Sequence, residues 1–231
     1  MKRPGYFRAS MILAGKDLRL EWRTLETLSS TAIFSLAVLV VFSFAFGAGA
    51  IRQLGADRLV PGVIWTTLTF ASVVAMARSI QLERANDALS ALFLAPVDRG
   101  ALYTGKMLAN LVKLTVLQWI LLPLTAVLFD YDLFGTALPL LLVVFVHGLG
   151  LTELGTLFAA ISSRLGRGEA LLATLLFPAV TPLLISAVKC TAACLAGRGL
   201  SGVTHWLLVA TAFDVLYFFV ALLTFEFVLE E

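Results

Sequence analysis

The stretch Thr31–Ile51 reads TAIFSLAVLVVFSFAFGAGAI and contains no charged residue. An α-helix rises about 1.5 Å per residue, so a helix over this stretch can cross the roughly 30 Å hydrocarbon core of a bilayer. Inside lipid, every backbone N–H and C=O group must be hydrogen-bonded within the protein, and a single apolar segment achieves this only as a helix. The stretch therefore predicts a transmembrane helix.

Apolar runs of similar length recur along the rest of the chain. Of the 231 residues 60% are hydrophobic and 14% charged, which is far from the composition of a soluble globular domain. We predict an all-α membrane protein in which residues 1–231 form one transmembrane domain with six spans. Beyond the first, the predicted spans are Leu59–Ala77, Met107–Phe129, Leu133–Ile161, Ala170–Val188 and Trp206–Phe225. Residues 189–204 are expected to form a loop or short re-entrant pieces, and Trp65 is expected to be an aromatic residue of the membrane interface.

The Lys and Arg residues are distributed unevenly between the predicted loops. Four lie in loops on one side of the membrane, and Lys113 lies within a span. The other twelve of the 17 share the opposite side: Lys2, Arg3, Arg8, Lys16, Arg19, Arg23, Arg78, Arg84, Arg99, Lys106, Arg164 and Arg167. Since basic loops remain in the cytoplasm, both termini are predicted to be cytoplasmic. Orientation accounts for these residues, and a net charge of +2 gives no indication of nucleic-acid binding.

Residues 1–30 precede the first span and contain both basic and apolar residues. Leu13, Lys16, Asp17 and Leu20 follow a helical spacing. This pattern predicts an amphipathic helix on the inner leaflet, where membrane lipid is its expected partner. Ser29 or Ser30 is predicted to cap the first span.

The longest polar interruption between two spans covers Leu82–Lys106 and reads LERANDALSALFLAPVDRGALYTGK. Leu82, Leu89, Leu92, Phe93 and Pro96 fall near one helical face, whereas Glu83, Arg84, Asp87 and Ser90 fall on the other. Pro96 is expected to end this helix, and Asp98 to cap a second helix that begins at Arg99 and continues through Lys106 into the third span. We interpret the stretch as a cytoplasmic coupling helix that receives force from a partner. A solvated connecting loop is the alternative.

Gly100, Gly105 and Lys106 reproduce the GxxxxGK spacing of a phosphate-binding loop. The next residue is Met107, which cannot bind magnesium as the usual Ser or Thr does. Such a loop also needs a buried strand before it and a soluble domain around it, whereas a membrane span follows here. We interpret the match as chance.

Four basic or acidic side chains lie within the predicted spans: Lys113, His147, Glu153 and Asp214. Polar groups are costly in lipid and usually face other helices, so His147 is expected to form a hydrogen bond to another helix rather than to bind a metal or haem. Lys113 and Glu153 lie at similar depth on neighbouring spans, which predicts an ion pair or a water-bridged contact. In the alternative, Lys113 reaches the cytoplasmic interface and Glu153 bonds elsewhere. The sequence contains no motif for catalysis, and no metal site is predicted.

Six spans, a basic amphipathic amino-terminal segment and the loop pattern E-x3-D-x-L-x2-L-x3-P-x2-R-x6-K together resemble a known class. The pattern consists of Glu83, Asp87, Leu89, Leu92, Pro96, Arg99 and Lys106. It is similar to that of the permease subunits of type-2 ABC exporters, and among these the chain most resembles the haem exporter B family of the cytochrome c maturation system.

The resemblance implies a permease of the bacterial inner membrane without an ATPase site of its own. It implies that a second copy of the chain, a cytoplasmic ABC ATPase and haem-handling membrane subunits are the partners. ATP would bind the ATPase subunit, and haem would be a transported or handled ligand rather than a cofactor of this chain. Two alternatives are a type-2 exporter of a lipid, polysaccharide or drug, and a non-transporting scaffold for the ATP-driven release of a haem chaperone.

Overall fold

A computed structural model of the chain describes residues 5–85, 98–164 and 168–228. Seven helices lie in these ranges: α1 (Tyr6–Thr24), α2 (Glu26–Leu54), α3 (Ala56–Ala85), α4 (Arg99–Phe129), α5 (Ala137–Arg164), α6 (Gly168–Leu195) and α7 (Thr204–Val228). The described residues contain no strand, and six of their helical segments are long and apolar enough to cross a membrane. The chain is an all-α, multi-pass membrane protein, as the sequence predicts.

The corner between α1 and α2 is a close turn centred on Leu25. Leu25 has a φ of 51°, and its N–H donates to the Glu21 carbonyl oxygen at 2.6 Å. The buried Glu21 side chain then accepts a hydrogen bond from the Leu28 N–H at 2.8 Å, which satisfies a free donor at the start of α2. The predicted capping by Ser29 or Ser30 is therefore wrong, because Glu21 already caps a helix that begins at Glu26.

Helix α1 lies against the first turns of α4. Its buried face consists of the small side chains of Ala9, Ser10 and Ala14. Helix α1 approaches Gly105 of α4 so closely that no side chain fits at this position. A Cβ on Gly105 would lie 2.8 Å from Leu13 Cβ and 2.9 Å from the Ser10 carbonyl oxygen. The exposed face carries large apolar residues that suit a membrane surface, namely Phe7, Met11, Ile12 and Trp22.

The hydrophobic core is centred on α3, which packs against α2, α4, α5 and α6. Trp65, Leu68 and Ala71 on α3 are almost completely buried. The outer helices α2 and α7 expose most of their apolar surface, as expected of helices that face lipid.

Helix α6 continues seven residues beyond the predicted end at Val188. Cys190, Thr191 and Cys194 lie in the core, and this burial favours the helical form up to Leu195. The predicted loop from residue 189 is therefore wrong in its first half. Gly197 and Gly199 then make the turn with φ angles of 72° and 60°, which glycine adopts without steric cost.

Candidate functional site

The predicted coupling helix lies mostly outside the described residues. Asp87, Leu89, Leu92, Phe93 and Pro96 all fall in the range 86–97, which the structure does not describe. Glu83 and Arg84 belong to the last turn of α3, which continues to Ala85.

Helix α4 follows residues 86–97, and its N-terminus is capped by a side chain. Asp98 Oδ1 accepts a hydrogen bond from the Ala101 N–H at 3.2 Å, which confirms its predicted role as the cap of α4. Arg99 is the first residue of this helix, so a displacement of the preceding segment would act directly on the third span.

Lys106 belongs to α4; it is only 8% exposed, and its side chain faces α1. Its Nζ is 4.0 Å from Asp17 Oδ2, so a charge contact accompanies the packing of small residues between the two helices. Near the start of α1, the Tyr6 hydroxyl and Thr104 Oγ1 share a hydrogen bond of 2.7 Å. The structure therefore connects this coupling candidate to α1, a contact that the sequence pattern did not indicate.

The apparent phosphate-binding motif is part of a continuous helix. Gly100, Gly105 and Lys106 all lie within α4, and Met107 is buried. A helix interior has no free backbone N–H groups to surround a phosphate. The helical form of this stretch agrees with the interpretation of the spacing as a chance match.

Lys113 faces α2 and α3. Its Nζ donates a hydrogen bond to Ser79 Oγ at 3.3 Å. The side chain also lines a small pocket with polar groups of α2, α3 and α4, including Thr27, Ser72 and Asn110.

Glu153 faces the opposite way, toward α7. It is 2% exposed, and its Oε2 has no hydrogen-bond partner among the described residues. The predicted Lys113–Glu153 contact is therefore wrong. The two residues lie on neighbouring helices, but equal depth does not set the rotation of either helix about its axis, and these rotations direct the two side chains to different neighbours.

The absence of this pair can be tested with a double-mutant cycle. Lys113→Met and Glu153→Gln should contribute independently to the free energy of unfolding, with a coupling energy below about 0.5 kcal/mol. The measurement is reversible unfolding of the single and double variants in mixed micelles. A coupling above about 1 kcal/mol would show that the two side chains interact.

His147 forms the expected hydrogen bond to another helix. It is completely buried on α5, and its Nε2 lies 3.0 Å from Ser186 Oγ of α6. Its Nδ1 donates to the Val143 carbonyl oxygen at 2.7 Å, which leaves Nε2 as an acceptor in the neutral ring. Ser186 Oγ also lies 2.8 Å from the Trp206 carbonyl oxygen of α7, so its one proton is shared between two acceptors and the hydroxyl contacts both neighbouring helices.

Trp65 of α3 also contacts this group of buried polar side chains. Its ring contacts the His147 ring, with centroids 5.3 Å apart, and its Nε1–H donates to Thr191 Oγ1 at 2.8 Å. The interfacial position predicted for Trp65 is wrong. Helix α3 begins at Ala56, three residues before the predicted span, which places Trp65 about 14 Å along the helix from its start.

Further buried contacts join α4 to α5. Asn110 Nδ2 donates to Thr156 Oγ1 at 3.0 Å, and the Tyr103 hydroxyl donates to the Glu153 carbonyl oxygen at 3.1 Å. Asn110 and Tyr103 were not predicted as site residues, although a polar residue in an apolar span is a usable signal for such a contact. Within the described ranges, no group of three or more His, Cys, Asp or Glu side chains could hold a metal ion.

Comparisons with known proteins agree along nearly the whole chain. The family model described as "CcmB protein" matches residues 8–229. A "Heme exporter protein B" of Pseudomonas aeruginosa is 28% identical over 202 residues, which cover 87% of this chain and 88% of that protein. The protein of the same name in Rhodobacter capsulatus is 31% identical over 174 residues, which cover 75% of this chain and 78% of that protein. A third relative with this name, from Bradyrhizobium diazoefficiens, is 24% identical over 185 residues, covering 80% and 82% of the two chains.

Proposed function

Since the chain belongs to the CcmB protein family, we propose that it is the membrane permease subunit of an ABC transporter complex that exports or handles haem for cytochrome c maturation. The observation that carries this proposal is the match from residue 8 to residue 229, which includes every predicted span and the loop between the second and third. Three relatives named "Heme exporter protein B" support the assignment to haem.

The energy for transport comes from a partner in this proposal. The GxxxxGK spacing lies inside helix α4 and offers no loop for nucleotide, so ATP binds a separate cytoplasmic ABC ATPase. The proposed assembly contains two copies of this chain, the ATPase and the membrane subunits that handle haem. It lies in the bacterial inner membrane with both termini in the cytoplasm.

The coupling interface comprises the segment from Glu83 to Pro96 together with the start of α4. Helix α3 leads into this segment and the capped helix α4 leads out of it, so force on the segment acts on two spans. Leu89 and Leu92 are the apolar anchors that contact the ATPase. Glu83, Arg84, Asp87, Phe93, Pro96 and Arg99 complete the interface.

The test is purification of the tagged chain in mild detergent, with its partners identified by mass spectrometry. Leu89→Asp and Leu92→Asp should remove the ATPase by at least tenfold, because each would place an unpaired charge in a buried apolar contact. Ser90→Asp is the matched control on the polar face and should retain the ATPase. Undiminished ATPase with both Leu variants would contradict the coupling interface, and partners from lipid or polysaccharide synthesis would contradict the role in haem handling.

A further inference from the structure

Two carboxyl groups meet inside the bundle, where α5 packs against α7. Glu153 lies on α5 and Asp214 on α7, and they are 2% and 3% exposed. Asp214 lies over Gly150, where a Cβ would collide with Asp214 Oδ1, and Gly150 is one turn before Glu153 on α5. Residues three apart share one face of a helix, so the Glu153 and Asp214 carboxyl groups both lie at the contact between α5 and α7.

Three of the four carboxylate oxygens are buried without a hydrogen-bond partner among the described residues. They are both oxygens of Asp214 and Oε2 of Glu153. The polar groups nearby are used elsewhere: the Tyr103 hydroxyl donates to the Glu153 main-chain carbonyl, and the Tyr217 hydroxyl donates to the Ala179 carbonyl.

Several titratable groups on the surrounding helices have partners of their own. On α4 Lys106 lies near Asp17, and Lys113 donates to Ser79. On α5 His147 bonds to Val143 and Ser186, on α6 Cys190 lies near the Val203 carbonyl, and on α7 Tyr217 has the partner given above. Among the side chains that the structure describes, no basic group forms an ion pair with Glu153 or Asp214.

Physical chemistry leaves few ways to stabilise such a pair. Two ionised carboxylates at this depth would be desolvated and would repel each other, and buried groups in this situation take up protons instead. A bound metal cation would need about six oxygen ligands, whereas the other atoms nearest a Cβ at Gly150, beside Asp214 Oδ1, are the apolar Cδ atoms of Leu183. A proton requires no such coordination shell.

We propose that Glu153 and Asp214 form a buried proton-binding site between α5 and α7, which holds a proton on each carboxyl group at neutral pH and releases it when the two helices separate far enough to admit water. The site goes beyond the proposed permease role. It makes the packing of α7 on α5 sensitive to hydration of this one contact.

Infrared spectroscopy of the full chain in micelles of a detergent without ester groups tests the site directly. A protonated carboxyl group has a C=O stretch that is separate from the bands of an ionised carboxylate and shifts in D₂O. The wild-type protein should show this band at neutral pH, and the band should decrease as the pH is raised. Its absence at neutral pH in the wild-type protein would overturn the proposal without any variant.

Variants assign the band to the two residues. Asp214→Asn and Glu153→Gln should each remove about half of it, and the double variant should remove it completely. These substitutions keep size and replace one neutral group by another, so the melting temperature of each single variant should stay at the wild-type value. Glu26→Gln, at an exposed carboxylate paired with Arg78 at 2.7 Å, is the matched control and should leave the band unchanged. A band that persists in both single variants at full intensity, or a large loss of melting temperature in them, would overturn the assignment.

Discussion

Gly105→Val should separate α1 from α4. At this position even a Cβ would approach the main chain of α1, with the Ser10 carbonyl oxygen at 2.9 Å, and a main-chain atom cannot move aside as a side chain can. Overpacking of a close contact costs about 1–3 kcal/mol. The Asp17–Lys106 contact and the Tyr6–Thr104 hydrogen bond should be lost together with the packing, since both depend on the same approach of the two helices.

The measurement is the initial rate of tryptic cleavage within α1, which contains Lys16 and Arg19. Cleavage follows the population of the opened form, so a loss of about 1–3 kcal/mol should raise the rate by roughly 5- to 150-fold. Gly62→Val is the matched control, because a Cβ at Gly62 on α3 meets no atom within 4 Å. A cleavage rate in the Gly105 variant equal to that of the control would show that α1 does not dock as described.

Trp65→Ala should cause the largest loss of stability among single substitutions in the core. Trp65 is 1% exposed and connects α3 to His147 on α5 and Thr191 on α6. Truncation of a buried Trp to Ala costs about 3–5 kcal/mol, because it leaves a cavity as well as removing contacts. Trp65→Phe retains most of the volume and removes the hydrogen bond to Thr191, which should cost about 1 kcal/mol in addition to any repacking.

Reversible unfolding in mixed micelles, followed by circular dichroism, measures both losses. Trp119→Ala is the control, because Trp119 on α4 is 67% exposed and packs little against the other helices. Lipid or detergent contacts such a side chain in the folded and the unfolded state alike. Its effect should be within about 0.5 kcal/mol. A loss for Trp65→Ala no greater than that of the control would contradict the central position of this residue.

The buried polar residues show where inference from the sequence succeeds and where it ends. His147 was predicted to bond to another helix because an unpaired imidazole in lipid is too costly, and this requirement holds whichever helix is the neighbour. The partner is Ser186, whose hydroxyl also contacts the Trp206 carbonyl oxygen of α7. This choice depends on how helices pack whose contacting residues lie 20 to 60 positions apart in the chain. The Lys113–Glu153 prediction was wrong for the same reason, since depth in the membrane follows from residue counts but rotation about the helix axis does not.

The contact between α1 and α4 could have been predicted only in part. Ala9, Ser10 and Ala14 are spaced to form a small-residue face, and Gly105 is a small residue at the start of a span. Small residues indicate that some helix approaches closely, but they do not identify it. Trp65 is a related case: the residue type suited both an interfacial and a core position, and its packing against His147 and Thr191 decided between them.

By itself, the sequence determined the class of the protein, the number of its spans and the helical form of each, because lipid offers a backbone no alternative to internal hydrogen bonds. It also determined that Asp98 caps α4, since this follows from residues adjacent in the chain. Only the tertiary structure decided which faces of the helices meet: α1 against Gly105, Trp65 against His147, and Asp214 above Gly150 beside Glu153. These choices depend on how side chains of distant segments fit together within a few tenths of an ångström, and hydrophobic pattern along one chain carries no information at that scale.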